Sequence, residues 1–384
     1  MDHLIVFGVA FATVALVTPL VRRLATWGGA VAEPGERHVH TRRTPTLGGL
    51  AIFAGVLAAI GVGSRLGSFA EVFRTTSEPE AAVLAGILLV AIGVVDDTRG
   101  VSAPAKLAGQ TTAAGILVLL GGIQLRFVYI PGNPGSIVSL NFDLAALLTI
   151  FAVVAMINAV NLVDGLDGLA AGIVAIAATA LFFYAVLSEA VTDQATTSAP
   201  LLLAAVSGAS LGFLLHNFNP ASIFMGDTGA MLLGMLLATG GVAAIGGTVA
   251  PSRGDFAAIS VPVLVPVLVL AVPFFDTTST ILRRLLSGRA IFSPDKEHLH
   301  HRLMEIGHSH RRAVLIMYYW SALIAFGAVG VSVLPLPVVT GVLGAGIAGA
   351  LAFVAAGRLG QRLRAERTAD DTSSSRPPVV RSRE

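Results

Sequence analysis

Long apolar stretches, separated by short polar loops, run along nearly the whole chain. Each is long enough to cross about 30 Å of hydrocarbon as a helix, and about eleven of them occur. This pattern predicts an all-α integral membrane protein, a polytopic bundle of about eleven transmembrane helices. The predicted spans lie near 4–22, 47–64, 80–95, 105–122, 143–160, 168–187, 199–216, 228–247, 258–282, 313–333 and 336–357.

Two features interrupt the helical pattern. Pro262, Pro266 and Pro273 fall inside the ninth stretch and predict a bent helix. Between the fourth and fifth stretches, RFVYIPGNPGSIVSLNF places bulky residues on both sides of a Pro/Gly/Asn turn, which predicts a short β-hairpin on the outer face. We find no internal repeat. The apolar stretches predict one membrane domain, 1–358, and the polar residues after it predict a basic cytoplasmic tail, 359–384, that we expect to be disordered.

The basic residues predict the orientation. All but four of the 25 Lys and Arg residues lie in the tail or in and beside the loops 23–46, 96–105 and 283–312. Because basic residues favour the cytoplasmic side, we expect an outer N-terminus and a cytoplasmic C-terminus. Arg22 and Arg23 follow the first stretch, the reverse of a signal peptide, so we predict a retained first helix. The four exceptions are Arg65, Arg74, Arg126 and Arg253.

Composition agrees with lipid as the main solvent. The chain is 54% hydrophobic and 12% charged, whereas soluble domains carry about 25% charged residues, and the mean hydropathy is +0.80. The absence of cysteine excludes disulfides, thiolate zinc sites and a cysteine nucleophile, so any metal must bind oxygen or imidazole. The basic inner surface suits membrane lipid headgroups and phosphates, and we expect no nucleic-acid partner.

Carboxylates cluster on the predicted cytoplasmic side. Asp96 and Asp97 end the third stretch and could be the solvated end of a helix. Neighbouring carboxylates repel each other, however, and oppose the helix dipole there, so the pair could instead bind a cation or a basic partner. NLVDGLDGL supplies Asp164 and Asp167, with Asn161 one turn earlier. Either aspartate could cap the next helix, but a cap needs only one carboxylate, so the second favours a divalent cation or a sugar diphosphate.

The next inner loop adds further candidates. Asn217 directly precedes FNPASIFMGDTGAMLLG, which contains Asp227. Asp227 is a candidate helix cap and also a candidate Mg²⁺ ligand close to backbone N–H groups that would face phosphates. Phe224 is either a base-stacking residue or a membrane anchor.

The last inner loop, SPDKEHLHHRLMEIGHSHRR, is rich in histidine. His298, His300 and His301 stand between Lys296 and Arg302. A loop that only adheres to anionic lipid would not need three histidines, so we favour phosphate or diphosphate contacts, with a transition-metal site as a minor alternative. No Walker A motif or dinucleotide fingerprint is present, so nucleotide binding must use the loops at the inner ends of the spans.

Taken in order, these motifs resemble the polyprenyl-phosphate N-acetylhexosamine-1-phosphate transferases, the MraY/WecA family. The resemblance runs from TPTLGG (44–49) through VVDDTRG, KLAGQ and NLVDGLDGLAAG to FMGDTGAMLLG and DKEHLHHRL. It covers most of the chain, and the whole series is far more specific than any one motif. The HLHH form preceded by DK is similar to the WecA branch, which uses UDP-GlcNAc, and departs from the consecutive histidine triplet of the other branch.

The resemblance implies a reaction that depends on Mg²⁺, with Mn²⁺ as a substitute. A polyprenyl phosphate would attack the β-phosphate of UDP-GlcNAc and release UMP. By motif, Asp227 corresponds to the metal ligand, and Lys106 to a phosphate contact. Asp96 and Asp97 correspond to the pair proposed to bind or deprotonate the lipid phosphate. We rank metal binding above base catalysis for this pair, because a phosphate acceptor is already largely ionised.

The resemblance also implies a nucleotide-sugar pocket and a location. The location is the bacterial inner membrane, with the active site in the cytoplasm and membrane lipids around the protein, and a homodimer is a further expectation. Thr46 and Arg302 would contact substrate, and the three histidines would lie over the diphosphate. The pocket would be formed by Asn161, Asp164, Asp167, Asn217 and Phe224.

Two other functions compete with this interpretation. An intramembrane prenyltransferase also holds Mg²⁺ and diphosphate with aspartates, but the third aspartate of its motif has no counterpart after DDTRG, which ends at Gly100. A secondary transporter would place ionisable residues near the middle of the membrane, where Asp276 is the main candidate. A single deep carboxylate, set against a whole cluster on the inner face, makes transport the weaker alternative.

The predicted orientation can be tested by cysteine labelling in this cysteine-free chain. A cysteine introduced at Thr46 or Ser293 should react with membrane-impermeant thiol reagents only from the cytoplasm, and one at Asn133 only from outside, because of the asymmetry of basic residues. Labelling of all three positions from one side would contradict the orientation.

Overall fold

Long apolar helices make up most of the computed structural model, which describes residues 1–32, 43–129, 137–192, 197–246, 309–335 and 337–349. The helices are α1 (Asp2–Trp27), α2 (Gly48–Gly63), α3 (Ala70–Thr75), α4 (Glu78–Arg99), α5 (Ala103–Leu119), α6 (Phe142–Val163), α7 (Leu169–Thr192), α8 (Ala199–Asn217), α9 (Gly226–Gly246), α10 (His310–Val333) and α11 (Pro337–Gly349), with a 3-10 turn at Gly67–Phe69. The chain divides into two units, Met1–Val333 and Leu334–Glu384, and α11 is the described helix of the second.

Seven of the described helices are long and apolar enough to cross a membrane, which makes this a multi-pass membrane protein. They are α1, α4, α6, α7, α8, α9 and α10, and each coincides with a predicted span. The second predicted span coincides with α2, which has 16 residues, and the chain bends by 93° between α2 and the helical segment Gly67–Thr75. The fourth is α5, with 17 residues, and the eleventh begins with the short α11. The ninth lies outside the described residues, so a total of about eleven spans is not confirmed.

Two small antiparallel strand pairs accompany the helices. β1 (Val31–Ala32) pairs with β2 (Thr44–Pro45), with Val31 opposite Pro45. β3 (Phe127–Tyr129) pairs with β4 (Ile137–Ser139), with Val128 opposite Val138. Residues 130–136 and the tail 359–384 lie outside the described residues, so the hairpin and the disordered tail stay predictions.

The helices α7, α8 and α9 form the centre of the bundle. In α9, 94% of the most apolar window is buried, compared with 28% in α1. α9 packs against α2, α4, α6, α7 and α8, while α1 packs mainly against α2 and α8. Alanine, glycine and leucine occur on all sides of α8 and α9, so these helices have no polar face to turn outward and are surrounded by other helices.

Glycines allow the backbones around α9 to approach closely. A Cβ atom on Gly49 of α2 would overlap the backbone of Gly229, and one on Gly93 of α4 would overlap the backbone of Thr228. In membranes, such small residues replace the hydrophobic driving force with close van der Waals contact. The first turn of α9 is therefore packed tightly against both the start of α2 and the end of α4.

A histidine compensates for a proline inside α1. Pro19 has no backbone N–H, so the carbonyl of Ala15 loses its partner within the helix. Nε2 of His216, near the end of α8, lies 2.9 Å from that carbonyl oxygen and donates to it. Since a free carbonyl is costly inside a bilayer, this bond stabilises the contact between α1 and α8.

The close contact of α4 with α9 predicts a stability difference between two glycine variants. Gly93→Ala should lower the melting temperature in detergent, because its Cβ would meet the backbone of Thr228 and force the helices apart at a cost of about 1–3 kcal/mol. Gly115→Ala in α5 is the matched control, because nothing lies within 4 Å of its Cβ position. Size-exclusion chromatography after heating measures both, and equal melting temperatures would contradict the contact.

Candidate active site

Several helix ends meet at one end of the bundle. α4, α6 and α8 end there at Arg99, Val163 and Asn217, while α7 and α9 begin there at Leu169 and Gly226. Helix ends expose unpaired N–H and C=O groups, and this is where the predicted polar residues are found. The structure therefore brings the described members of the predicted site together at one end of the membrane domain.

The carboxylate of Asp97 caps α9 from a neighbouring helix. Oδ1 accepts the backbone N–H of Asp227 at 2.9 Å, and Oδ2 accepts the N–H of Thr228 at 3.2 Å and its hydroxyl at 2.6 Å. Gly226 has φ +67°, and a Cβ there would overlap this carboxylate, so the turn requires glycine. A negative charge at a helix N-terminus is favourable, so this contact joins the end of α4 to the start of α9.

Asp96 points to a different set of partners. Its Oδ1 accepts the N–H of Val101 at 2.6 Å, and its Oδ2 accepts from Nζ of Lys106 at 2.8 Å. The same ammonium lies 2.7 Å from Oδ2 of Asp227. Lys106 and Asp227 each keep about a quarter of their side-chain surface exposed, so substrates can reach this cluster. The two adjacent aspartates thus have separate functions in the structure, one holding α9 and one facing the lysine.

The loop between α6 and α7 is held by residues of the α8–α9 loop. Oδ2 of Asp167 accepts from Nδ2 of Asn219 at 2.9 Å and from the N–H of Ala221 at 3.0 Å. Oδ1 of Asn217 accepts the N–H of Gly168 at 3.0 Å, and its Nδ2 donates to the carbonyl of Ile223 at 3.0 Å. These bonds link the two loops into one wall of the site.

Asp164 is a carboxyl group in an unfavourable electrostatic environment. Burial, together with the nearby carboxylates of Asp227, Asp97 and Asp167, raises the pKa of Asp164 to about 8. Desolvation and negative neighbours both disfavour its charged form. A bound cation would offset this repulsion and favour the charged carboxylate.

A cavity of about 480 Å³ opens between these loops, within the range of about 300–1,000 Å³ usual for small-molecule sites. Thr46 lines this cavity, and its neighbours bond to Phe224: the N–H of Phe224 donates to the carbonyl of Pro45 at 2.8 Å, and the N–H of Gly48 donates to the carbonyl of Phe224 at 3.0 Å. The hydroxyl of Thr46 donates to the carbonyl of Ala30. The lining residues are Ala32, Thr46, Asp97, Asn161, Asp164, Gly165, Leu166, Asp167, Asn217, Phe224, Gly226 and Asp227.

The donor set fits a hard cation carried by a phosphate ligand. Carboxylate oxygens are the ligands that Mg²⁺ prefers, and it commonly takes one or two of them with water and substrate phosphates completing the shell. Among the described residues no three Asp, Glu or His side chains converge into a metal cage. Asp227, partly exposed at the cavity beside Asp164, is suited to such an open site.

The histidine loop cannot be placed in this geometry. His298, His300, His301 and Arg302 all lie outside the described residues. The helix that follows them does contact the site: Nε of Arg311 donates to the carbonyl of Asn219 at 2.8 Å.

Sequence reasoning missed four residues that organise the site. Thr228 completes the cap of α9, Asn219 holds Asp167, and the hydroxyl of Tyr318 donates to the carbonyl of Gly168. The carbonyl of Pro45 supports Phe224. Thr228 could have been found, since it directly follows Asp227 at a predicted helix start. Tyr318 lies inside an apolar helix, where nothing in the pattern distinguishes it from a packing residue.

Known proteins resemble this chain over the region that contains the site. The family model described as glycosyl transferase family 4 matches residues 80–245, which contain all five aspartates of the site and Lys106. Decaprenyl-phosphate N-acetylglucosaminephosphotransferase of Mycobacterium tuberculosis is 42% identical over 313 residues, covering 80% of this chain and 77% of the relative. The protein of the same name in Mycolicibacterium smegmatis is 43% identical over 316 residues, covering 81% and 77%.

A more distant relative extends the same similarity. The "Probable undecaprenyl-phosphate N-acetylglucosaminyl 1-phosphate transferase" of Bacillus subtilis is 34% identical over 329 residues, covering 85% of this chain and 84% of the relative. Because this likeness extends over most of both chains and includes the carboxylate cluster, the protein belongs to glycosyl transferase family 4, the polyprenyl-phosphate N-acetylhexosamine-1-phosphate transferases.

Proposed function

We propose that this protein transfers GlcNAc 1-phosphate from UDP-GlcNAc to a polyprenyl phosphate in the bacterial inner membrane. An oxygen of the lipid phosphate forms a bond to the β-phosphorus of the nucleotide sugar. The bond from that phosphorus to the bridging oxygen breaks, and UMP leaves with the electron pair. The product, GlcNAc-diphospho-polyprenol, would begin a cell-envelope polysaccharide. The named relatives support this acceptor and this sugar.

The Asp96–Lys106–Asp227 cluster beside the cavity is the observation that carries the proposal. One ammonium between two carboxylates, 2.8 and 2.7 Å away, is poised to exchange partners when a phosphate arrives. Phosphoryl transfer depends mainly on positioning and charge neutralisation, and an ionised phosphate acceptor needs little help from a base. Phosphoryl transfer of this kind therefore suits a site that offers several fixed charges and no cysteine nucleophile.

The cavity and the cluster suggest separate places for the two substrates. The nucleotide sugar would occupy the cavity, with Asn161, Asn217 and Phe224 around the nucleotide. Lys106 lies on α5 outside the cavity lining and would contact the lipid phosphate, together with Asp96. The lipid tail would then extend between helices into the bilayer, which is the only solvent suited to it.

Magnesium is the cofactor that we propose, with manganese as a substitute. Asp227 would hold it, and the bound cation would neutralise charge on the diphosphate and orient it. The partly exposed carboxylate and the neighbouring Asp164 support this assignment. The three histidines of the loop before α10 would complete the diphosphate contacts.

The proposed orientation places the site in the cytoplasm, where nucleotide sugars are made. The helix ends that carry the aspartates lie on the side that the basic residues mark as internal. The N-terminus would then lie outside and the C-terminus inside. Anionic membrane lipids would contact the basic inner surface, and a homodimer stays a prediction. Neither a prenyltransferase nor a transporter gains support from the relatives.

Incubation with defined substrates tests the proposal. Purified protein with Mg²⁺, polyprenyl phosphate and a panel of UDP-sugars should form one new lipid, with the mass of GlcNAc-diphospho-polyprenol, and equimolar UMP. Mass spectrometry of the lipid identifies the sugar. Conversion of a prenyl diphosphate, or no conversion of any UDP-sugar, would contradict the proposed reaction.

The variant Asp227→Asn tests the metal assignment in the same assay. Asparagine keeps the size of the side chain but removes the charge that would hold the cation, so turnover should fall by orders of magnitude while the protein stays folded. The cap of α9 should survive, because Asp97 and not the side chain of Asp227 accepts the first N–H groups. A folded and fully active Asp227→Asn protein would remove the metal assignment.

The different contacts of Asp96 and Asp97 predict that substitution of these two residues affects stability and turnover differently. Asp97→Asn should lower the free energy of unfolding by about 1–2 kcal/mol, because its amide cannot accept all three donors of α9. Asp96→Asn should lose turnover with a smaller change in stability, because asparagine can still accept from Val101 at the helix end. Thermal unfolding of both variants in the same detergent measures this, and equal losses of stability would contradict the separate functions.

A further inference from the structure

The carbonyl of Gly168 makes a contact that the proposed reaction does not explain. Gly168 ends the Asp164–Gly168 loop, which supplies four residues of the cavity lining. Its φ of +79° is in the left-handed region, where glycine is favoured. The hydroxyl of Tyr318, which lies on α10, donates to this carbonyl. On the other side of the residue, Asn217 accepts the N–H of Gly168 at 3.0 Å.

The same carbonyl already has a partner within its own helix. The N–H of Gly172 donates to it at 2.9 Å, in the first turn of α7. The tyrosine hydroxyl is therefore not needed to satisfy a buried acceptor, and its removal leaves no unpaired carbonyl. A bond that is superfluous for stability but fixes the corner of a substrate cavity is better explained by positioning.

The ring of Tyr318 fits a place that glycine keeps open. A Cβ atom on Gly172 would overlap the ring and the hydroxyl of Tyr318. α10 also contacts the second loop of the cavity, since Arg311 donates to the carbonyl of Asn219, whose side chain holds Asp167. A single helix thus contacts both loops that form this wall, and in the sequence it directly follows the histidine motif.

We propose that Tyr318 is a positioning residue for the nucleotide-sugar pocket, acting through the carbonyl of Gly168. With Asn217, it fixes the Asp164–Gly168 loop from two sides, so that Asp164 and Asp167 keep their places in the cavity wall. This inference rests on the proposed function, because it assigns the cavity to the nucleotide sugar. The lipid phosphate binds at Lys106, on a different helix, and is not affected by this contact.

Steady-state kinetics of Tyr318→Phe test the proposal. The KM for UDP-GlcNAc should rise about two- to tenfold, the range expected for one neutral hydrogen bond. The KM for polyprenyl phosphate should stay at the parent value, and the melting temperature should change little, because the Gly168 carbonyl keeps its bond to Gly172. Tyr319→Phe is the matched control, since it removes the same hydroxyl from the exposed neighbouring residue.

A second variant reaches the same contact from the opposite side. Gly172→Ala should displace the tyrosine and raise the KM for UDP-GlcNAc but not that for polyprenyl phosphate. It should also lower the melting temperature, because its Cβ would overlap the ring, whereas Gly115→Ala, with open space around its Cβ position, should change neither. If the parent enzyme is active and both KM values are unchanged in Tyr318→Phe, or if only its melting temperature falls, the positioning role is wrong. If the parent converts no UDP-sugar, the proposed function fails, and this inference fails with it.

Discussion

The bond network between the Asp97 carboxylate and the first turn of α9 is the contact on which the site depends. Two backbone N–H groups and one hydroxyl of α9 converge on it. Helix N-termini leave N–H groups unpaired, and a membrane protein cannot rely on bulk water to satisfy those near the bilayer. By meeting this requirement from α4, Asp97 fixes Asp227 relative to Asp96, and the carboxylates of both residues contact Lys106.

Close packing makes that contact possible. Gly49 and Gly93 allow α2 and α4 to touch the backbone of the first turn of α9. Larger side chains at these positions would force the helices apart and weaken the bonds between Asp97 and its donors. The glycine motifs and the aspartate motifs are therefore parts of one arrangement: the glycines set the distance between helices, and the carboxylates use the resulting proximity.

The sequence could predict the spans and the acidic end of the bundle because both depend on local patterns. Seven helices coincide with predicted spans because apolar length alone decides membrane insertion. The sequence could not show that Asp96 and Asp97 have different partners. Adjacent residues on a helix point about 100° apart, and the donors to Asp97 lie in α9, far from it in the sequence. Likewise, the sequence could not show that Asn219 and Ala221 bind the carboxylate of Asp167, whose role in the reaction stays a prediction. The histidine loop remains a prediction because it lies outside the described residues.

Charge balance accounts for the remaining chemistry of the site. Asp96, Asp97, Asp164 and Asp227 face a small region whose nearest cation among the described contacts is Lys106. The raised pKa of Asp164 is one consequence, because a proton offsets part of this excess of negative charge. A diphosphate would add more negative charge, so it can bind only if positive charge arrives with it. In the proposed reaction this charge would come from a divalent cation at Asp227 and from the basic, histidine-rich segment before α10. Binding of the nucleotide sugar and binding of the cation would then be coupled, since each would neutralise the charge that opposes the other.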